Sequence, residues 1–253
     1  MDRVKTGIPG FDELVEGGLP ASFNILITGA PGTGKTIFGL QYLVQGVKNG
    51  ENGIYVSLDT TRKQLLAQGS EFGWDLEAME KDGKLIILEI PLDLPEVNIF
   101  SLVEETVEKI KAKRLVFDSL INFAINVDQF KIPLNYRVNS NMAAAMGNVD
   151  SQGRVLYQGK SRERITYLLI NELSKLGTTN LVITAGVEGE GQITVDGVSE
   201  YACDGLIILK SLAIGDSVNR TIEIKKMRLT KIDGGIKSYD ITSKGISLSK
   251  VEN

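Results

Sequence analysis

The chain has 253 residues, 42% of them hydrophobic and 24% charged, which suits one large domain or two small ones built on a sizeable core. A net charge of −4 supplies no global attraction to nucleic acid, so any such binding needs a local patch. The single cysteine, Cys203, excludes an intrachain disulfide, and the absence of histidine excludes histidine general-base catalysis and histidine-ligated zinc. Cys203 reads as a small buried apolar residue in a reducing interior. The sequence has no signal peptide and no uninterrupted apolar stretch of about 18 residues, so the expectation is a cytoplasmic protein without a membrane span.

Residues 1 to 20 hold Thr6-Gly7-Ile8-Pro9-Gly10-Phe11-Asp12-Glu13-Leu14 and then Gly17-Gly18-Leu19-Pro20, a turn, a short helix and another turn. On local pattern alone this is a packing segment. The apolar run from Phe23 to Thr28 reads as a buried strand. Lys35 to Lys48 reads as a helix with Ile37, Leu40, Leu43, Val44 and Val47 on one face. Between them stands a complete G-x-x-x-x-G-K-[ST] loop: Gly29, Ala30, Pro31, Gly32, Thr33, Gly34, Lys35 and Thr36. Glycines let backbone N–H groups turn inward around a phosphate, and the helix N-terminus adds unpaired donors and a positive dipole end. Lys35 can reach the β- and γ-phosphates of a nucleotide, and the Thr36 hydroxyl can ligate Mg²⁺.

Gly53 to Leu58 is the next strand, ending in Asp59-Thr60-Thr61, and a helix pattern follows through Leu65, Leu66 and Phe72. Leu85 to Glu89 is a third strand, Ile99 to Lys111 an amphipathic helix, and Arg114 to Ser119 a fourth strand. A phosphate loop needs a second acid at the end of an apolar strand on the same sheet edge, and Asp118 meets that need as a Mg²⁺ partner. The plain alternative is an aspartate capping a loop. Residues 126 to 160 break the rhythm: this inserted region is rich in Asn, Gln, Gly and Ser and carries Lys131, Arg137, Arg154 and Lys160. A helix from about Arg162 to Lys175, a strand from Asn180 to Ala185, an acidic glycine-rich loop from Gly186 to Glu200 and a strand from Leu206 to Leu209 complete the alternation. The tail from Arg220 to Leu248 reads as three short strands of an antiparallel edge. The expected fold is α/β, a mostly parallel central sheet flanked by helices with a C-terminal antiparallel edge, in a single domain.

The segments Thr6 to Leu14, the phosphate loop, Tyr55-Val56-Ser57-Leu58, Phe72-Gly73-Trp74-Asp75-Leu76, Phe117-Asp118-Ser119-Leu120, Asp204-Gly205 and Lys226-Met227-Arg228 together resemble the KaiC-type ATPases of the RecA/RadA superfamily. They occur in the same order over nearly the whole chain. The resemblance implies a RecA-like P-loop NTPase with ATP or ADP and Mg²⁺ as ligands, and a ring, commonly a homo-hexamer, with ATP at subunit interfaces. It implies that Lys226 and Arg228 act on the γ-phosphate of a neighbour. On periodicity alone these two residues are an exposed pair on an edge strand.

Three departures matter. The family carries a Glu-Glu pair where this chain has Asp59-Thr60, and Asp is one methylene shorter, so Asp59 in the catalytic position predicts slow ATP hydrolysis with ATP binding retained. Leu229-Thr230-Lys231-Ile232 follows the Lys-x-Arg pair in place of the family's usual continuation. The 126–160 insert falls where RecA-like recombinases carry a DNA-binding loop, while the loop near 186–200 is acidic, so the two give opposite signals for nucleic acid. The leading expectation is therefore an ATP-binding, slowly hydrolysing ring ATPase that acts as a nucleotide-dependent switch, with a protein partner left open. The alternatives are a RadA paralogue with weak nucleic-acid binding in recombination or repair, and an autokinase.

Overall fold

Each apolar stripe needs a covered face, and a strand that is apolar at every position needs cover on both sides. The computed structural model describes residues 1–90, 98–126, 162–187, 193–214 and 217–249. Strands β3 (Asn24–Gly29), β4 (Gly53–Ser57) and β6 (Arg114–Asp118) are buried at every residue. They belong to one sheet with β5 (Leu85–Glu89), β7 (Thr179–Ala185), β8 (Gly205–Ile214), β9 (Ser217–Met227), β10 (Ile236–Thr242) and β11 (Gly245–Leu248). A small antiparallel pair, β1 (Arg3–Val4) with β2 (Leu19–Pro20), precedes them.

The sheet has nine strands in the order β11-β10-β9-β8-β3-β7-β6-β4-β5. The run from β8 to β5 is parallel, and β9, β10 and β11 are added antiparallel. The phosphate-loop strand β3 lies between β7 and β8, in the middle of the sheet. Helices α1 (Lys35–Lys48), α2 (Arg62–Glu71), α3 (Leu76–Lys81), α4 (Ile99–Ile110), α5 (Leu120–Ile125), α6 (Arg162–Lys175) and the short α7 (Ser199–Ala202) connect the strands.

Alternation along the strands divides the core in two. Ile25, Ile27, Tyr55, Val116, Leu181 and Ile183 pack with Phe38, Leu40 and Leu43 of α1, Leu65 of α2 and Ile246 of β11. Leu26, Ile54, Val56, Phe117 and Val182 pack on the other face with Val103 and Val107 of α4, Phe123 of α5 and Leu169 and Leu173 of α6. The antiparallel edge curls over α1: Gln41 donates to the carbonyls of Gly7 and Ile246 and accepts from the Ile246 N–H.

The expected α/β class, parallel centre and antiparallel edge are all present. Helices α1 and α6 and strand β5 have the expected bounds. Helices α3 and α5, each six residues long, were not expected. Strands β8 and β9 are longer than expected, because they run on as a hairpin past the end of β3, whose Gly29 pairs with Leu209. Almost all of the 126–160 insert lies outside the described residues, as do residues 188–192 of the acidic loop. Among the described residues no helix is long and apolar enough to cross a membrane.

Candidate functional site

The parallel strands end together, and their carboxyl ends open into a cleft of about 390 Å³. Its lining combines Pro31, Gly32, Gly34, Lys35 and Thr36 with Asp59, Thr60, Gln68, Asp118 and Ser119. Strand register explains the convergence. Gly29 sits opposite Ala185, and Ser57 sits opposite Asp118, so the ends of β3, β7, β6 and β4 share one edge. This is where open α/β sheets receive ligands.

The loop conformation depends on glycine at two points. A Cβ on Gly29 would collide with the Leu209 carbonyl, and Gly34 caps α1 with φ +88°, where a Cβ would also meet Ile241. Lys35 Nζ donates to the carbonyls of Gly29 at 2.6 Å and Ala30 at 2.9 Å. Burial pushes its pKa down, while Asp118 and Asp59 pull it back up. The Tyr239 hydroxyl, on β10, donates to the Thr33 carbonyl at 2.5 Å and pins the loop from behind, burial pushing its own pKa up to about 12.

Asp118 is the most connected acid of the cleft. Its Oδ2 accepts from Thr36 Oγ1 at 3.0 Å and from the Tyr55 hydroxyl at 2.6 Å. Burial raises its pKa, and these two donors, with Lys35 nearby, oppose that rise. The Asp118–Ser119 peptide is cis. Ser119 Oγ donates to Asp59 Oδ2 at 3.0 Å, tying the end of β6 to the acid after β4. The Thr60 backbone is held by Ser57: its N–H donates to Ser57 Oγ, and Ser57 Oγ donates to its carbonyl. A hydroxyl beside a carboxylate is the hard-oxygen pairing that suits Mg²⁺, and Asp118 Oδ1 accepts from no described group. Among the described residues no cluster of three His, Cys, Asp or Glu could enclose a metal.

The structure thus brings Lys35, Thr36, Asp118 and Asp59 into one cleft. Lys226 and Arg228 are elsewhere. Gly205 pairs with both Ile25 and Met227, so the two cations flank the opposite end of the sheet. Four residue steps of β3, from Ile25 to Gly29, separate that register from their own phosphate loop, roughly 13 Å by strand rise. Lys226 Nζ donates to the carbonyls of Glu200, Tyr201 and Cys203, and burial and Arg228 lower its pKa. Arg228 pairs with Asp204 at 2.9 Å, and Asp204 also accepts from the Asn24 N–H. Cys203 beside them is fully buried, as expected, with its thiol pKa pushed up by burial.

Sequence patterns missed Tyr55 as a partner of Asp118, Ser119 as a partner of Asp59, and Gln68 and Tyr239 as walls of the loop and cleft. The family profile described as ATPase: KaiC matches residues 4–253. The chain belongs to the KaiC family of ATPases. A KaiC-like protein of Pyrococcus horikoshii has a solved structure that superposes with a TM-score of 0.78 at 30% identity, covering 98% of this chain and 99% of that one. A UPF0273 protein of Aeropyrum pernix is 33% identical over 97% of this chain and 93% of its own length. The circadian clock protein KaiC3 of Synechocystis is 31% identical over the whole of this chain, which spans only 47% of it. The chain spans under half the length of the cyanobacterial KaiC relatives it matches.

Two of the KaiC-like sequence segments prove to be packing segments of the core. Asp12 is buried and accepts from the Thr6 N–H at 3.0 Å and Thr6 Oγ1 at 2.7 Å, which closes the Thr6 to Leu14 segment on itself. Phe11 then meets Phe38 of α1 edge-on, with ring centroids 5.5 Å apart. In the Phe72 to Leu76 stretch, Gly73 turns the chain at φ +71°, Trp74 stacks on Phe72, and Asp75 caps α3 through the Ala78 N–H.

Proposed function

We propose that this chain, as a single domain carrying the 126–160 insert, binds ATP with Mg²⁺ in the cleft, hydrolyses it slowly and assembles head-to-tail into a ring, expected to be a homo-hexamer. In this reading it is a cytoplasmic nucleotide-dependent switch. The observation that carries the proposal is the meeting of Lys35, Thr36, Asp118 and Asp59 at one sheet edge, with Lys226 and Arg228 at the other. A chain with its phosphate loop and its candidate γ-phosphate cations at opposite ends can join them only across copies.

The residues divide the work. The backbone N–H groups of the loop and the N-terminus of α1 receive the phosphates. Lys35 already donates to the Gly29 and Ala30 carbonyls, and phosphate oxygens are stronger acceptors for the same ammonium. Thr36 and Asp118 would hold Mg²⁺, which neutralises charge on the β- and γ-phosphates. Asp59, held by Ser119, orients the attacking water and takes up its proton. Its short side chain, and a Thr60 that cannot act as a carboxylate base, account for slow turnover, since a misplacement of about 1 Å can cost on the order of 100-fold. Lys226 and Arg228 of a neighbour neutralise charge only when the interface closes, which makes hydrolysis a property of the assembled state.

The test is steady-state phosphate release from Mg²⁺-ATP with and without single-stranded DNA at low salt, alongside sedimentation in the presence of ATP and of ADP. Slow, DNA-independent release and an ATP-dependent ring are expected. Fast release, above roughly one per second, would overturn the slow-switch reading. Clear stimulation by DNA would move the protein to the recombinase-like alternative and direct attention to Arg137 and Arg154 of the insert, which lie outside the described residues.

A further inference from the structure

We propose that Tyr55 is a positioning residue for the Mg²⁺ site: its hydroxyl and that of Thr36 fill one oxygen of Asp118 and so assign the other oxygen to the metal. The inference rests on the proposed nucleotide function and adds a residue that the phosphate-loop motif does not contain.

Three elements converge on a single atom. Tyr55 of β4 pairs with Val116 of β6, so Asp118, two residues further along, is its diagonal neighbour on the same face of the sheet. Helix α1 packs on that face and brings Thr36. Both hydroxyls donate to Oδ2, at 2.6 Å and 3.0 Å. Two donors use both lone pairs of that oxygen. Oδ1 accepts from no described group, although Asp118 lines the cleft. The carboxylate is thereby clamped with one oxygen spent and one available.

Packing alone does not require the hydroxyl. Tyr55 is fully buried among Val116, Ile27 and Leu65, and a Phe ring would fill the same apolar space. A buried hydroxyl needs a partner, and the Tyr55 hydroxyl gives its proton to Asp118 in a hydrogen bond. Thr36 donates to the same oxygen, but its own oxygen is the expected metal ligand, so of the two donors Tyr55 is the one independent of the metal. Tyr55 approaches from the sheet and takes no part in coordination, so it holds the acid whether or not metal is present. Outer-shell partners of this kind typically change metal affinity by about 10- to 100-fold when removed.

The experiment uses the full chain and an ATP analogue with a fluorescent ribose label. Its affinity is measured in EDTA and across a Mg²⁺ titration for wild type, Tyr55→Phe, Asp118→Asn and the double variant, with thermal unfolding of each without ligand. Tyr55→Phe should leave affinity in EDTA within about twofold and raise the half-saturating Mg²⁺ concentration about tenfold. In the Asp118→Asn background the same change should add nothing, because the hydroxyl acts through the carboxylate. An unchanged Mg²⁺ midpoint, an equal loss of affinity in EDTA, or an undiminished effect in the Asp118→Asn background would each overturn the inference. A wild type whose affinity ignores Mg²⁺ would instead remove the proposed function itself, and this inference with it.

Discussion

Lys35 spends its hydrogen bonds on two carbonyls of its own loop. Charge-assisted hydrogen bonds are worth about 1.5–3 kcal/mol each, so replacing Lys35 by Ala should weaken nucleotide binding by about 100-fold, read by equilibrium titration. Retained affinity would show that the loop backbone suffices. Asp59 supports a sharper prediction. If its short side chain limits turnover, Asp59→Glu should raise phosphate release about tenfold or more while leaving nucleotide affinity unchanged. A rate that stays the same would place the limitation elsewhere, in assembly or product release. At this scale the sequence was informative for residues whose role follows from local spacing. Gly29 to Thr36 work as a contiguous loop, and Asp118 ends an apolar strand. Tyr55, Ser119 and Gln68 were invisible because their roles depend on which strands are neighbours. Once β4 is known to pair with β6, the reach of Tyr55 to Asp118 follows from the two-residue period.

Elements were legible in proportion to their length. α1 and α6, 14 residues each, show several turns of helical period, whereas α3 and α5 have six residues and too few turns to display one. For α3 the readable signal was its cap, Asp75, not its periodicity. The described residues 193–198, which lead into α7, gather around one acid. Asp196 accepts from Thr194 Oγ1, from Ser199 Oγ and N–H, from the Val198 N–H, and from Thr166 Oγ1 of α6. Desolvation works against its ionised form, but the hydroxyls of Thr166, Ser199 and Thr194 outweigh it, and the pKa falls below the ordinary value. A depressed carboxylate stabilises the fold fully above its unfolded pKa, near 3.9, and that stabilisation is lost as pH drops through the lower folded value. Asp196→Asn should therefore cost about 1 kcal/mol at neutral pH, a modest figure because the group is partly exposed. It should also flatten the decline in stability below about pH 4, followed by denaturant unfolding. An unaltered acid limb would rule Asp196 out as the responsible group.

The whole molecule is polar in arrangement, with a phosphate cleft at one end of the sheet and a pair of restrained cations at the other. A heterologous contact between these ends closes into a ring or continues as a filament. The expectation that Lys226 and Arg228 serve a neighbour leads to a mixing experiment. Lys35→Ala and Arg228→Ala should each lose hydrolysis when assayed alone. Mixed in equal amounts and reassembled, they should regain about a quarter of wild-type phosphate release, because about one interface in four then pairs an intact loop with an intact arginine. No recovery would mean that both residues act within one chain or that Arg228 is structural through Asp204. The parallel centre and antiparallel edge could be read from the alternation of strand and helix patterns. The placement of the cations could not, because it depends on β9 returning antiparallel beside β8.

The bond from Tyr239 to the Thr33 carbonyl spans 206 positions, and Gln41 meets Ile246 across 205. Synthesis makes the phosphate loop well before the strand that backs it. Until β10 and β11 have emerged, the nascent chain has a phosphate loop without the wall that pins it. In the proposed reading, a chain that stops before β10 should therefore bind ATP more weakly than one that includes β10 and β11.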